Sequence, residues 1–187
     1  MHINLSEFRI LTGALFFMLT GSVHAGIQIS PMNISLNNQD EYSGTVSFYS
    51  TSTETQYIKV TVKKIIFSGT SQQKEISALP GDDERLVVLP QSFILSPQRK
   101  HIVRLLPLNV PQKEKVYRVY VSSVPDDAGR ETVNNNARIT INVIWGVLVY
   151  VEPENSTVLL SYDSKTGILI NHGNRHIRVS DYGFCSS

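Results

Sequence analysis

Arg138-Ile139-Thr140-Ile141-Asn142-Val143-Ile144-Trp145-Gly146-Val147-Leu148-Val149-Tyr150-Val151 is the stretch on which the fold turns. Successive side chains of an extended strand point to opposite sides, so Ile139, Ile141 and Val143 share one face while Arg138, Thr140 and Asn142 share the other. From Val143 onward both faces are apolar, through Ile144, Trp145, Val147, Leu148, Val149, Tyr150 and Val151. An alternating run is a half-covered strand, and a doubly apolar run is covered on both sides. At ~3.3 Å per residue, ~14 residues reach ~46 Å, more than a strand of a small sandwich needs. One end is therefore expected inside a domain and the other projecting or at a sheet edge. Two readings of its first half stand. It packs on its own core, or it offers Ile139, Ile141 and Val143 to a partner, because an edge strand with an apolar row invites pairing with another chain. The Asn134-Asn135-Asn136 loop just before it supplies a pliant lead-in.

Working outward, short alternating segments recur roughly every ten residues with turn residues between them, the pattern of an all-β, immunoglobulin-like sandwich. The expected strands are Ile27–Ile29 continuing to Asn33–Leu36, Thr45–Ser50, Gln56–Ile66, Arg85–Val88, Ser92–Leu95, Lys100–Leu105, Lys115–Ser123 and the stretch just quoted. In the third, Ile58, Val60 and Val62 oppose Tyr57, Lys59, Thr61 and Lys63; Tyr117, Val119 and Val121 repeat the arrangement later. Helical periodicity is nowhere sustained. Residues 26–150 thus suffice for one sandwich. Beyond Pro153, Thr157–Tyr162, Gly167–Asn171 and Ile177–Tyr182 read as three short strands that open a second, incomplete β domain over residues 151–187.

Residues 1–25 read as a cleaved secretory signal: an apolar core Ile10–Leu19 is too short to span a bilayer and leads to small residues at Gly21, Ser22, Val23 and Ala25. Seventeen Lys and Arg against sixteen Asp and Glu leave a formal charge of +1, which gives no pull toward nucleic acid or an anionic membrane. The single cysteine, Cys185, cannot pair within the chain and rules out a multi-cysteine zinc site. The eleven glycines fall into no phosphate loop, dinucleotide fingerprint or nucleophile elbow. His172 and His176 flank a Gly-containing turn rather than a helix face, and the pairs Asp82-Asp83 and Asp126-Asp127 sit in turns. No enzyme, cofactor, metal or small-molecule substrate is expected. Arg99, Lys100, His101 and Arg104 form the densest basic cluster, either a solvated strand face or a surface for an acidic partner.

The ordered set of segments carries a resemblance. Arg85–Pro90, Phe93–Pro97, Arg99–Leu105, Val116–Pro125 and the long alternating strand together resemble the N-terminal domain of periplasmic pilus-assembly chaperones of the chaperone–usher pathway. Gln56–Val60 with Lys63–Ile66, and Lys113–Tyr120, are similar to the alternate branch serving class 5, CS1/CFA/I-type fimbriae. The resemblance implies two immunoglobulin-like domains, periplasmic residence, and partners that are major and minor fimbrial subunits and an outer-membrane usher. It also implies donor-strand complementation, in which the chaperone lends a strand to a subunit that lacks one, with Ile139, Ile141 and Val143 as the lent side chains. The family's Arg and Lys that anchor a subunit's terminal carboxylate fall by position on Asn33 and Leu148, neither of which is cationic. Its Arg before the domain-joining Pro falls on Glu152, and its Glu near the end of the preceding strand on Ser123. A partner for Cys185 would lie in the second domain. The rival readings are an exported immunoglobulin-like structural subunit or adhesin module, and a truncated chaperone without function.

Overall fold

The computed structural model describes residues 26–77, 81–124, 143–181 and 183. Twelve strands follow one another: β1 (Ile27–Ser30), β2 (Asn33–Leu36), β3 (Gly44–Ser50), β4 (Gln56–Ile66), β5 (Lys74–Ser77), β6 (Leu86–Leu89), β7 (Ser92–Leu95), β8 (Lys100–Pro107), β9 (Lys115–Val124), β10 (Ile144–Val151), β11 (Leu160–Asp163) and β12 (Ile168–Asn171). A single 3-10 turn, Asn38–Asp40, is capped by the Asn37 side chain.

Two sheets face each other. One has the order β1-β3-β8-β6; the other has the order β2-β10-β9-β4, with β5 and β7 both on the far side of β4. All pairings are antiparallel except β2 with β10. Pro31 cannot donate to a ladder, and there the chain leaves the first sheet and enters the second. The core lies where the alternating apolar rows meet: Val46, Phe48, Val103 and Leu105 from one sheet, Val60, Val119, Val121, Val147 and Val149 from the other. Register explains the fit, since Val60, Val121 and Trp145 lie side by side across three strands and Val62, Val119 and Val147 form the next row. The inner rows of β4 and β9 are those expected from their alternation.

The second part departs from expectation. The hairpin β11–β12 forms, but no strand is present over residues 177–181; no neighbouring strand offers that segment a ladder among the described residues. Conversely, β5 was not expected, because all four of its residues are exposed and an uncovered strand has no alternation to display. The basic cluster also divides. Lys100 and Arg104 point outward, whereas His101, of opposite parity, turns in and stacks on Phe93 with ring centroids 4.0 Å apart. Phe93 in turn meets Phe48 edge-on at 5.3 Å.

Candidate functional site

β10 has one complete flank and one incomplete flank. β9 pairs with it from Ile144 to Val151, but β2 covers only Leu148 to Val151, beginning at the Asn33–Leu148 pair. Among the described residues, Ile144 to Val147 have no strand on that second side. The amides of Leu148 and Glu152 donate toward β2, to Met32 O at 2.9 Å and Leu36 O at 3.0 Å. Backbone N–H directions alternate along a strand, so those of Ile144 and Gly146 face the open edge. The core-facing row of β10 also emerges at this end: Val149 and Val147 are fully buried, Trp145 only partly, and Val143 is 54% exposed. Ile139 and Ile141 lie outside the described residues.

The outer face of the same sheet is ordered in rows. One row runs Asn33, Leu148, Arg118, Lys63, Ser77 across β2, β10, β9, β4 and β5. Asn33 and Leu148 are thus direct neighbours, and the cation beside Leu148 is Arg118, which reading the sequence alone did not single out. Its signal was there: an arginine set among Val116, Tyr117, Val119, Tyr120 and Val121. Gly146 leaves room for it, since a Cβ there would stand 3.1 Å from Arg118 Cδ. Arg118 Nη1 pairs with Glu75 Oε1, and the Tyr120 hydroxyl donates to Glu75 Oε2 at 2.7 Å. The Tyr120 hydrogen bond and the Glu75 charge hold the guanidinium above its ordinary pKa, against partial burial. Lys63 Nζ donates to Ser77 Oγ at 2.6 Å and ties β5 to β4.

Below this row lies the junction with the hairpin. Tyr150, Val116 and Ile65 form the next outer row, and His176 stacks on Tyr150 with centroids 4.5 Å apart. His176 Nδ1 lies 2.7 Å from the Glu114 carboxylate. Glu152 is buried and takes Arg175 Nη1 at 3.0 Å and Ser156 Oγ at 3.4 Å. A charged pair therefore does form at the position where the family has an arginine, with the carboxylate on β10's side and the arginine on the hairpin's. Asn174 is the hub: its side chain accepts from Thr157 N at 2.7 Å and donates to Asn155 O and Gln112 O, while its carbonyl accepts from Glu114 N. His172 is occupied separately, 2.8 Å from Ser161 Oγ. Among the described residues no three His, Cys, Asp or Glu side chains gather as a metal site requires.

No protein-family model matches the chain. It is 35% identical over 170 residues to a CFA/I fimbrial subunit of Escherichia coli, matching 88% of this chain and 70% of that protein. It shares 36% identity with the solved class 5 fimbriae chaperone CfaA, with a TM-score of 0.64 and coverage of 79% of this chain and 67% of that one. A chain of the chaperone–tip adhesin complex of CFA/I fimbriae biogenesis is similar at 36% identity and TM-score 0.66, over 81% and 68% of the two chains. The chain belongs to the class 5 fimbrial chaperones of the chaperone–usher pathway. In this class 5 chaperone the neutral pair Asn33–Leu148 is flanked by the cation of the next strand, and the open flank of β10 begins immediately upstream of that pair.

Proposed function

We propose that this class 5 chaperone holds major and minor fimbrial subunits by lending them the strand that leads into β10, and passes them to an outer-membrane usher. Residues 1–25 direct it to the periplasm and are removed there, residues 26–150 form the lending domain, and residues 151–187 open a second β domain. The lent side chains are Ile139, Ile141 and Val143. The observation that carries the reading is the emergence of one apolar row from the sandwich: Val149 and Val147 buried, Trp145 partly buried, Val143 exposed, beside a flank of β10 that has no strand among the described residues. The same parity followed upstream in the sequence reaches Ile141 and Ile139, two further apolar side chains suited to a subunit's groove. Three such side chains entering a subunit's groove contribute about 1.5–3 kcal/mol each, and main-chain pairing adds register. Asn33 supplies a neutral hydrogen-bond donor at the end of the open flank, and Leu148 an apolar contact.

The test is co-expression of the chain with a fimbrial subunit of its own system, reading soluble subunit recovered with the chaperone. Ile141→Asp places an unpaired carboxylate in an apolar groove, a cost of several kcal/mol, so recovery falls more than about tenfold. Thr140→Asp, of opposite parity, leaves recovery near that of the unmodified chain. Equal losses for both, or none for Ile141→Asp, would overturn the reading.

A further inference from the structure

The group that fills a site identifies what the site can take. On the outer face beside β10, Arg118 and Tyr120 project from alternate positions of β9 and both hold the carboxylate of Glu75, one on each oxygen. Glu75 belongs to β5, and β4 lies between the two strands. Strand spacing of ~4.8 Å puts the backbones of β5 and β9 ~10 Å apart, so the contact requires both side chains to reach toward each other over β4. The reach is also diagonal: Glu75 pairs with Ile65, while Arg118 pairs with Lys63. Nothing in local strand pairing asks for this contact. Meanwhile β5 is a peripheral strand, exposed at every residue and joined to β4 through four residue pairs. Arg118 and Glu75 both keep part of their surface in water, where ion pairs contribute little to stability, so exchange of one carboxylate for another is inexpensive.

We propose that Arg118 and Tyr120 form a carboxylate-receiving site and that Glu75 is its internal ligand, occupying it in the free chain until a carboxylate of a bound polypeptide displaces it. The inference rests on the subunit-holding reading and gives it a brake. Arg118 is adjacent to Leu148, whose other neighbour Asn33 marks where the open flank of β10 begins, so a single strand, β10, separates a chain lying along that flank from the strand that carries the guanidinium. A guanidinium flanked by a phenol hydroxyl matches a carboxylate with one hydrogen bond on each oxygen. Lys63 on β4 adds a positive charge beside the pair. The incoming carboxylate is either the C-terminus of the polypeptide or an Asp or Glu side chain.

The measurement is the dissociation rate of a co-purified fimbrial subunit from the full chain, with an excess of unlabelled chaperone to prevent rebinding. Glu75→Gln removes the competitor's charge, and release is expected to slow by about fivefold. Arg118→Met speeds release, and in that background Glu75→Gln no longer has an effect. A Glu75 that merely braces Arg118 gives the opposite sign, faster release for Glu75→Gln, and that result or an unchanged rate would overturn the proposal. Repeating the pair with a subunit extended by two glycines at its C-terminus separates the sources: loss of the Glu75→Gln effect identifies the terminal carboxylate, and its persistence identifies a side chain. Sensitivity to Ile141→Asp without any response at Glu75 overturns the internal ligand while leaving strand lending intact; a chain that retains no subunit overturns both.

Discussion

Glu84 shows how much one side chain can couple at the junction end of the sandwich. Its carboxylate lies 2.9 Å from Lys115 Nζ and 3.1 Å from Lys64 Nζ, while the buried Tyr117 hydroxyl donates to its carbonyl. The hydrogen bond from Lys115, and then that from Lys64, hold the carboxyl below its ordinary pKa against partial burial. Tyr117 is pushed well above the usual phenol value, chiefly by burial and then by the charges of Asp82 and Glu84. A depressed folded pKa means stability that is present above the unfolded value and lost as pH falls through the folded one. Glu84→Gln should therefore flatten the fall of melting temperature between about pH 5 and pH 3 and cost about 1 kcal/mol or less at neutral pH, since the group is partly exposed. Superimposable pH profiles of the two proteins would contradict this. At this scale the sequence is informative about type and silent about neighbours. Arg118 is visible as a cation between apolar and aromatic neighbours, but its place beside Leu148 depends on how β9 and β10 register. His101 sits among basic residues in the chain, yet one step of strand parity removes it from them and puts it under Phe93.

Among the elements, those with one covered face were legible; of the exposed ones, β11 and β12 were legible from their apolar residues and β5 was not. β4 and β9 display their inner rows because burial selects Ile and Val at alternate positions, while β5 is exposed throughout and shows no such row. The hairpin β11–β12 keeps Leu160, Tyr162, Ile168 and Ile170 exposed, and its junction with the sandwich rests on a few polar contacts and the stack of His176 on Tyr150. A two-stranded hairpin is marginal by itself, so those contacts decide whether it is ordered. Asn174→Ala deletes the side-chain bonds to Thr157, Asn155 and Gln112. Proteolytic cleavage within residues 154–177 should become at least several-fold faster, while the melting of the sandwich shifts by about 0.5 kcal/mol or less. Equal cleavage rates would show that the hub does not hold the hairpin. The junction's paired charges could not be read from the chain order, because Glu152 and Arg175 are brought together only by the hairpin's docking.

For the whole molecule, the strand spacing pointed to a sandwich before any pairing was known, and the pairing adds which edge is open. The chain's switch between sheets at Pro31 leaves β2 covering only half of β10. The emerging row Val147, Trp145, Val143 lies on the core-facing side of β10 and the Asn33-Leu148-Arg118 row on its outer side, with the half-covered edge of β10 between them. Main-chain pairing of a subunit at the open flank is the step on which strand lending at β10 depends. It is tested most directly by residue-resolved amide hydrogen exchange of the free chain and of its complex with a fimbrial subunit. The amides of Ile144 and Gly146, which face that flank, should exchange about a hundredfold more slowly in the complex. Exchange unchanged at both residues, with protection appearing instead on the four-stranded sheet, would contradict strand lending at β10.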